Sequence, residues 1–287
     1  MTFKRRDMIG LAVTGAAILA TGRVSMAATS HAETIAHQAT DFFGENGFAA
    51  LPPFDLIVDQ AFNGGVRYGI IQQVTLPRAS MGIVPLARTE DLAERQRPGV
   101  LAYFNVFAFQ TEPGSEPGLA MDLVMEFLVN RTELDPRKLL FVSTERFRPY
   151  LGRNDYVTAD RFFERPLAEA VSMGDGSGYI ASLEHPDRPS FHTVGLYYPL
   201  PGTDPERPSS YPPPGFIEIG EVAIEPIDGD PNGPEGAGLG LERLAMAQGQ
   251  SIPDFEESRT ALLQALEDEA ARRGIALPPA YETFSSH

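Results

Sequence analysis

The residues best placed to do chemistry lie late in the chain, in the stretch 236–249, GAGLGLERLAMAQG. Gly236, Gly238 and Gly240 alternate with Ala237 and Leu239, and a helix-forming run then opens with Leu241, Glu242 and Arg243. Glycine at every second position of a strand strips one face of a sheet of side chains and leaves room for a flat ligand. The first turn of the following helix would then offer free N–H groups and Arg243 to an anion. The same residues also read as a turn followed by a surface helix with Arg243 solvated, and spacing alone does not separate the two. A dinucleotide fingerprint is excluded, because Leu241 stands where the last glycine of GxGxxG belongs and the stretch lies far from any first strand. A phosphate loop needs Gly-Lys followed by Ser or Thr, which the chain lacks.

Other polar residues carry weaker signals. Asp175 in MGDGSG reads as a cation ligand or as a Gly-Asp-Gly turn. His185 and His192 flank a proline-rich corner, HPDRPSFH, and read as pocket-facing or simply solvated. Ser177 and Ser190 have no GxSxG context, so a hydrolase triad is not supported. The absence of cysteine removes disulfides, thiolate metal sites and a thiol nucleophile. Five histidines without HxxxH or HExxH spacing argue against a histidine zinc site. A formal net charge of −16 opposes binding to a nucleic-acid backbone, and no basic run is long enough to overcome it.

The amino terminus differs from the rest. Lys4, Arg5 and Arg6 precede the apolar run MIGLAVTGAAILATG and the small-residue segment VSMAA, the pattern of an export signal over residues 1–27. The Arg5-Arg6 pair points to the twin-arginine type, which carries folded proteins, so a periplasmic or exported location is expected. The run is too short and glycine-rich to span a membrane, so no stable anchoring is expected. Translation from Met26 would instead leave a cytoplasmic protein beginning just before the first helix.

The elements that must position these residues follow from periodicity. Residues 30–48 have helical spacing and stop at Gly44 or Gly47; 51–59 is an extended entry; 68–76 alternates like a strand. VLAYFNVFAFQ (100–110) is strongly strand-like, with Phe104, Phe107 and Phe109 as core aromatics, and 118–134 is a helix with Leu119, Leu123, Phe127 and Leu128 on one side. DPRKLLFVST gives a turn and a strand, Tyr197 and Tyr198 belong to the core, and 199–215 is too proline-rich for either element. FIEIGEVAIEP (216–226) is a strand, and a final helix covers 254–273. Several strands adjacent without a helix between them predict an α+β fold, a mostly antiparallel sheet flanked by helices, over one domain from 28 to 287.

GLGLERLAM resembles motif 3 of class II aminoacyl-tRNA synthetases, and the wider context is similar to the catalytic domain of alanyl-tRNA synthetase. The similarity runs in order through TDFFGENGFAALPP, QQVTLPRASM with TEDLAER, FNVFAFQTEPG, AMDLVMEFLVNRTELDPRKLLFVST, AVSMGDGSG and FIEIGEVAIEP, about 240 residues in all. The order of these segments makes the case; only the motif 3 stretch and the LDPRKL helix end are individually specific. The resemblance implies a bent ATP on an antiparallel sheet, with Arg78 as the motif 2 arginine on the α-phosphate and Arg243 as the motif 3 arginine on the γ-phosphate. A planar, permanently charged fork suits phosphate oxygens. Gly238, Gly240, Glu242 and Asp175 would line the cofactor site, with magnesium between the phosphates and Glu218, Glu221 or Glu225. The three glutamates also read as the exposed side of a half-buried strand.

The chain departs from the family where the substrate would be held. The aspartate expected before the motif 3 glycines falls on Gly236, with Glu235 one residue away, and a one-residue slip turns a side chain to the other face. Gly220-Glu221 replaces a Trp-Asn pair, GVLAYF replaces the usual histidine and arginine lead, and Asn105 stands where a glutamate is expected. No tRNA-recognition or editing segment follows motif 3 in this sequence. Two readings result: an exported domain that binds a small anionic or nucleotide-like ligand without charging tRNA, or a stand-alone ligase that activates a small carboxylate or amino acid with ATP. Dimers are common in the family, so a homodimer is one expectation, although no motif 1 interface is clear.

Overall fold

The computed structural model describes residues 26–58, 60–64, 78–88, 90–173, 180–181, 189–226 and 234–286. The chain opens on helix α1 (Met26–Glu45), which takes in the last two residues of the segment read as a leader. Gly47, at φ 87°, turns the chain after it. Short strands β1 (Ala49–Ala50), β2 (Ile57–Val58) and β3 (Ala61–Phe62) lead to β4 (Ser80–Ala87) and β5 (Tyr103–Gln110). Helix α2 (Leu119–Arg131), β6 (Leu140–Ser143), β7 (Phe162–Glu164), α3 (Leu167–Met173) and β8 (Ile180–Ala181) follow. Then come β9 (Pro189–Pro199), β10 (Phe216–Pro226), β11 (Gly236–Gly240), α4 (Leu241–Ala247), α5 (Phe255–Arg273) and α6 (Ala280–Ser285).

Among the described residues one sheet runs β1-β4-β5-β11-β10-β9-β6-β7, with β8 paired to β9. The β1–β4 and β6–β7 pairs are parallel and the other pairs antiparallel. The fold is therefore α+β with a mostly antiparallel sheet, as the pattern predicts. One face, the helix face, carries α1, α2 and α4 on a continuous core that includes Phe43, Phe107, Phe109, Phe127, Leu196, Ile219 and Leu239. Phe43 sits between the two strand aromatics, 5.0 Å from Phe107 and 4.3 Å from Phe109 between ring centroids. Helix α5 packs with β2 and α6 on a second cluster around Ala87, Ala102 and Leu262.

The strands expected at 100–110 and 216–226, the glycine strand, the helices at 118–134 and 254–273, and the loop at 199–215 are all present. The strand expected at 68–76 lies outside the described residues. Besides the short β1, β3, β7 and β8, two longer strands escaped the pattern. β4 contains Gly82 and Pro85, which argue against a strand, yet β1 pairs only with Ser80 and Met81, so no described strand lies beside Pro85 on that edge. The Pro85 carbonyl instead accepts from Asn63 Nδ2 at 3.1 Å. β9 was hidden by the prolines at both of its ends.

Candidate functional site

The side of the sheet opposite the helices, the far face, has an uneven covering. Over β4 and β5 it carries Val84, Leu86, Phe104, Val106 and Ala108, capped by Leu51, Phe54 and Ile252. Over β6 and β9 it carries Leu140, Val142 and Tyr197, against Phe163, Tyr211 and Phe216. The strip that runs alongside these two apolar patches shares only Ala108 with them. Strand register sets Gly195, Glu221, Gly238, Ala108 and Gly82 side by side across five strands. The next row on the same face reads Thr193, Ala223, Gly236, Gln110 and Ser80. Small and polar side chains replace large apolar ones over five strands. Gly82, Glu221 and Gly238 are partly exposed, while the row from Thr193 to Ser80 is buried. Such a side-chain-poor floor is what a flat ligand needs. Phe54 closes its β4 end: a methyl group on Gly82 would lie 2.7 Å from the Phe54 ring.

A β-bulge places the acids on this floor. Glu218 pairs with Tyr197 and Gly220 with Leu196, so Ile219 is an extra residue in β10. Ile217 and the bulged Ile219 lie in the helix-side core, as do Val222 and Ile224 beyond the bulge. Glu218 and Glu221, three residues apart, would face opposite ways in a regular strand, but both take the far face here. The Glu221 carboxylate accepts from the Thr193 hydroxyl at 2.6 Å.

Arg243 closes the end of the strip where the glycine strand enters α4. Its stem crosses Gly240, where a methyl would lie 3.4 Å from Arg243 Cδ. The guanidinium lies 4.6 Å from the Phe104 ring centroid, donates Nε–H to the Gly99 carbonyl at 3.1 Å, and meets Glu218 at 3.5 Å. The side chain is 16% exposed, so the cation is held by its stacking and bonds with an edge left to solvent. An arginine fixed in this way over an aromatic ring is suited both to an anion and to stacking on a planar heterocycle. With only seven residues, α4 contributes little dipole, so Arg243 itself supplies the positive charge there.

The other acids near the glycine strand face the helices. Glu242 accepts from the Asn105 backbone N–H at 2.9 Å and from Asn105 Nδ2 at 3.0 Å, tying α4 to β5. Burial raises its carboxyl pKa, against the pull of these donors. A glutamate at 105 would set two carboxylates against each other, so the departure at Asn105 matches its partner. The neighbouring Tyr103 hydroxyl is pushed up to about 12 by burial, with Glu242 and Glu269 adding to the effect. Glu235 accepts from Gly118 N at 2.6 Å and Ala120 N at 3.0 Å, which makes its carboxylate the cap of α2. It thus faces away from the floor, as the one-residue slip requires. Its pKa is raised by burial, against the two amide bonds.

The structure brings Gly238, Gly240, Arg243, Glu218 and Glu221 together, and leaves Glu242 beneath them on the helix side. Asp175, Ser177 and His185 lie outside the described residues, while His192 is buried in β9 and Glu225 pairs with it in register. Arg78 is exposed, two residues before Ser80, at the Gly236 end of the strip. Arg243 stands at the Gly240 end, four strand residues or about 13 Å away. Sequence reasoning passed over Arg88. It follows Leu86 by two residues, so alternation sets it on the far face beside the Phe104 end, and its Nη1 donates to the Gly64 carbonyl at 3.3 Å. No signal marked it in the sequence, because Gly82 and Pro85 hide the strand SMGIVPLA that leads to it. Gln110 was also missed, since it reads as the last residue of an aromatic strand.

Glu218 and Glu221 fit the magnesium role in chemical type. Both supply hard oxygens from one face, about 7 Å apart along the strand by register, and Mg²⁺ takes one or two carboxylates with phosphate and water oxygens in the other positions. Among the described residues no three His, Asp or Glu side chains gather to hold a metal without a ligand's help. No described helix is long and apolar enough to cross a membrane.

No protein-family model matches the chain, and no curated protein matches it. Solved structures with a similar fold include histidyl-tRNA synthetase from S. aureus, at 11% identity over 85% of this chain and 79% of that one, TM-score 0.41. Aspartyl-tRNA synthetase from Entamoeba histolytica matches at 11% identity over 80% and 57%, TM-score 0.45. Asparaginyl-tRNA synthetase from the same organism, solved in complex with asparaginyl-adenylate, matches at 14% identity over 78% and 64%, TM-score 0.40. The chain spans less than two thirds of these last two proteins. At these identities and TM-scores the similarity transfers no activity, substrate or partner to this chain.

Proposed function

We propose that the far-face strip binds a small anionic or nucleotide-like ligand, in an exported, alanyl-tRNA synthetase-like domain that does not charge tRNA. One observation carries this reading: a side-chain-poor row across five strands lies alongside an arginine that is stacked on Phe104 and bonded to Gly99. The flat part of the ligand rests on Gly238 and Gly240, and its charge meets Arg243, with Arg88 at the same end. Calorimetric titration of the full chain with ATP and magnesium tests it. Saturable binding that Arg243→Ala weakens at least a hundredfold supports the reading; no heat at millimolar ATP sinks it. Sequencing the amino terminus of the protein recovered from the exported fraction tests the leader, and an uncleaved Met1 in the cytoplasm removes export.

The two co-facial carboxylates favour a second reading, a stand-alone ATP-dependent ligase. Magnesium held by Glu218 and Glu221 would neutralise phosphate charge, and Arg243 would fix the nucleotide. A substrate carboxylate would attack the α-phosphorus, forming an acyl–O–P bond as the bond to the β-phosphate oxygen breaks and pyrophosphate leaves. Substrate-dependent exchange of labelled pyrophosphate into ATP distinguishes this ligase from a protein that binds only.

A further inference from the structure

Gln110 is the last residue of β5 and belongs to the far face, because Phe107 and Phe109 alternate into the helix-side core. Its neighbours across the sheet are Ser80, whose hydroxyl is donated to the Arg78 carbonyl at 2.9 Å, and Gly236, which has no side chain. The residue is 2% exposed, and its Nε2 makes no hydrogen bond. A buried amide donor without an acceptor is costly, and such groups in folded proteins call for an explanation. Beyond Gly236 the row continues through Ala223, so small residues separate Gln110 from Thr193, about 14 Å away at three strand spacings. The donor therefore lies on the far-face side of the sheet in a buried row, about 13 Å along the glycine strand from the Arg243 end.

We infer that Gln110 is a specificity-determining residue, whose Nε2 donates to an acceptor oxygen on the part of the ligand lying over Gly236. This rests on the far face being the ligand site. It adds the class of group held at the end remote from Arg243: a small polar group with a carbonyl, carboxamide or carboxylate oxygen, not an aliphatic one. A site that leaves a buried donor unpaired with an apolar group discriminates against that group far more strongly than a pocket that merely fits.

Three probes decide it: AMP, and the adenylate mimics 5′-O-(N-asparaginylsulfamoyl)adenosine and its leucyl counterpart, which is close in size. Wild-type protein is expected to bind the asparaginyl compound at least tenfold more tightly than the leucyl one. Gln110→Leu is expected to abolish that preference, keep the AMP affinity, and melt no lower than wild type without ligand. Gln110→Glu, which replaces the donor by an acceptor, is expected to lose the preference as well. AMP binding with equal affinities for the two mimics, or a preference that Gln110→Leu leaves intact, overturns the role of Gln110 while the site stands. A ligand-free melting temperature several degrees lower in Gln110→Leu overturns it too, since the amide would then be structural. If wild type binds none of the three, the ligand site itself falls and this assignment with it.

Discussion

Glu218 and Glu221 stand three residues apart in β10 and face the same side of the sheet, because Ile219 is bulged between them. That extra residue puts Glu221 on the floor with Glu218, where a regular strand would set the two on opposite faces. It also brings Gly220 onto the helix side against β11, where a methyl group would lie 2.6 Å from the Gly238 carbonyl oxygen and 2.6 Å from Leu239 Cδ2. The acids, the missing side chain and the glycine strand are thus one arrangement.

Gly220→Ala is accordingly expected to strain the β10–β11 contact, since neither the backbone carbonyl nor a core leucine can withdraw cheaply. Overpacking of this kind costs about 1–3 kcal/mol, which for a chain of this size is a fall in Tm of roughly 2–5 °C. Thermal melts of the two proteins check it, and an unchanged Tm contradicts the packing described.

Glu235→Ala is expected to destabilise the chain by about 2 kcal/mol or more. The substitution leaves the Gly118 and Ala120 amides of α2 without their acceptor in a buried place. Urea unfolding measures the loss. Ligand affinity extrapolated to the folded protein should stay within about twofold, because the carboxylate faces away from the floor.

Glu242 gives a pH dependence with a definite sign. Burial raises its pKa above the usual 4.5, so the folded state holds the proton more tightly than the unfolded chain. Stability from this group is full below pH 4.5 and is lost as pH rises through the raised value. Glu235, raised in the same direction, adds to the trend. Glu242→Gln should remove its share, so the stability of the variant relative to wild type should improve as pH rises from 4.5 to 8. Melting curves across that range test this, and a difference that moves the other way refutes it.

The glycine strand, the acidic strand and the terminal helix were readable because local chemistry decides them. Alternating Gly236, Gly238 and Gly240 admit no helix, FIEIGEVAIEP alternates on each side of Gly220, and Asp254 with Glu257 forms a capping box. What escaped depends on partners distant in the chain. Pro85 is tolerated in β4 only because no described strand pairs beside it, and periodicity cannot see which strand lies at an edge. The bulge at Ile219 shows only in the register of β10 against β9, so the face taken by Glu221 was open until that register was known. Glu242 read as a ligand residue because it follows the glycines, yet Asn105, 137 residues away, turns it inward. Gln110 and Arg88 are ordinary strand-end residues until five strands are laid side by side.

The central claim is that the bare face of the glycine strand is the ligand floor, and Gly238→Val tests it most directly. Position 238 lies at the middle of the row from Gly195 to Gly82, and valine suits a strand, so its side chain stands on the floor while a thermal melt of the variant checks that the fold is kept. Titration of wild type and variant with ATP and magnesium should show binding in the first and at least a hundredfold loss in the second. Equal affinities in a variant that melts normally would contradict the account and place the ligand elsewhere.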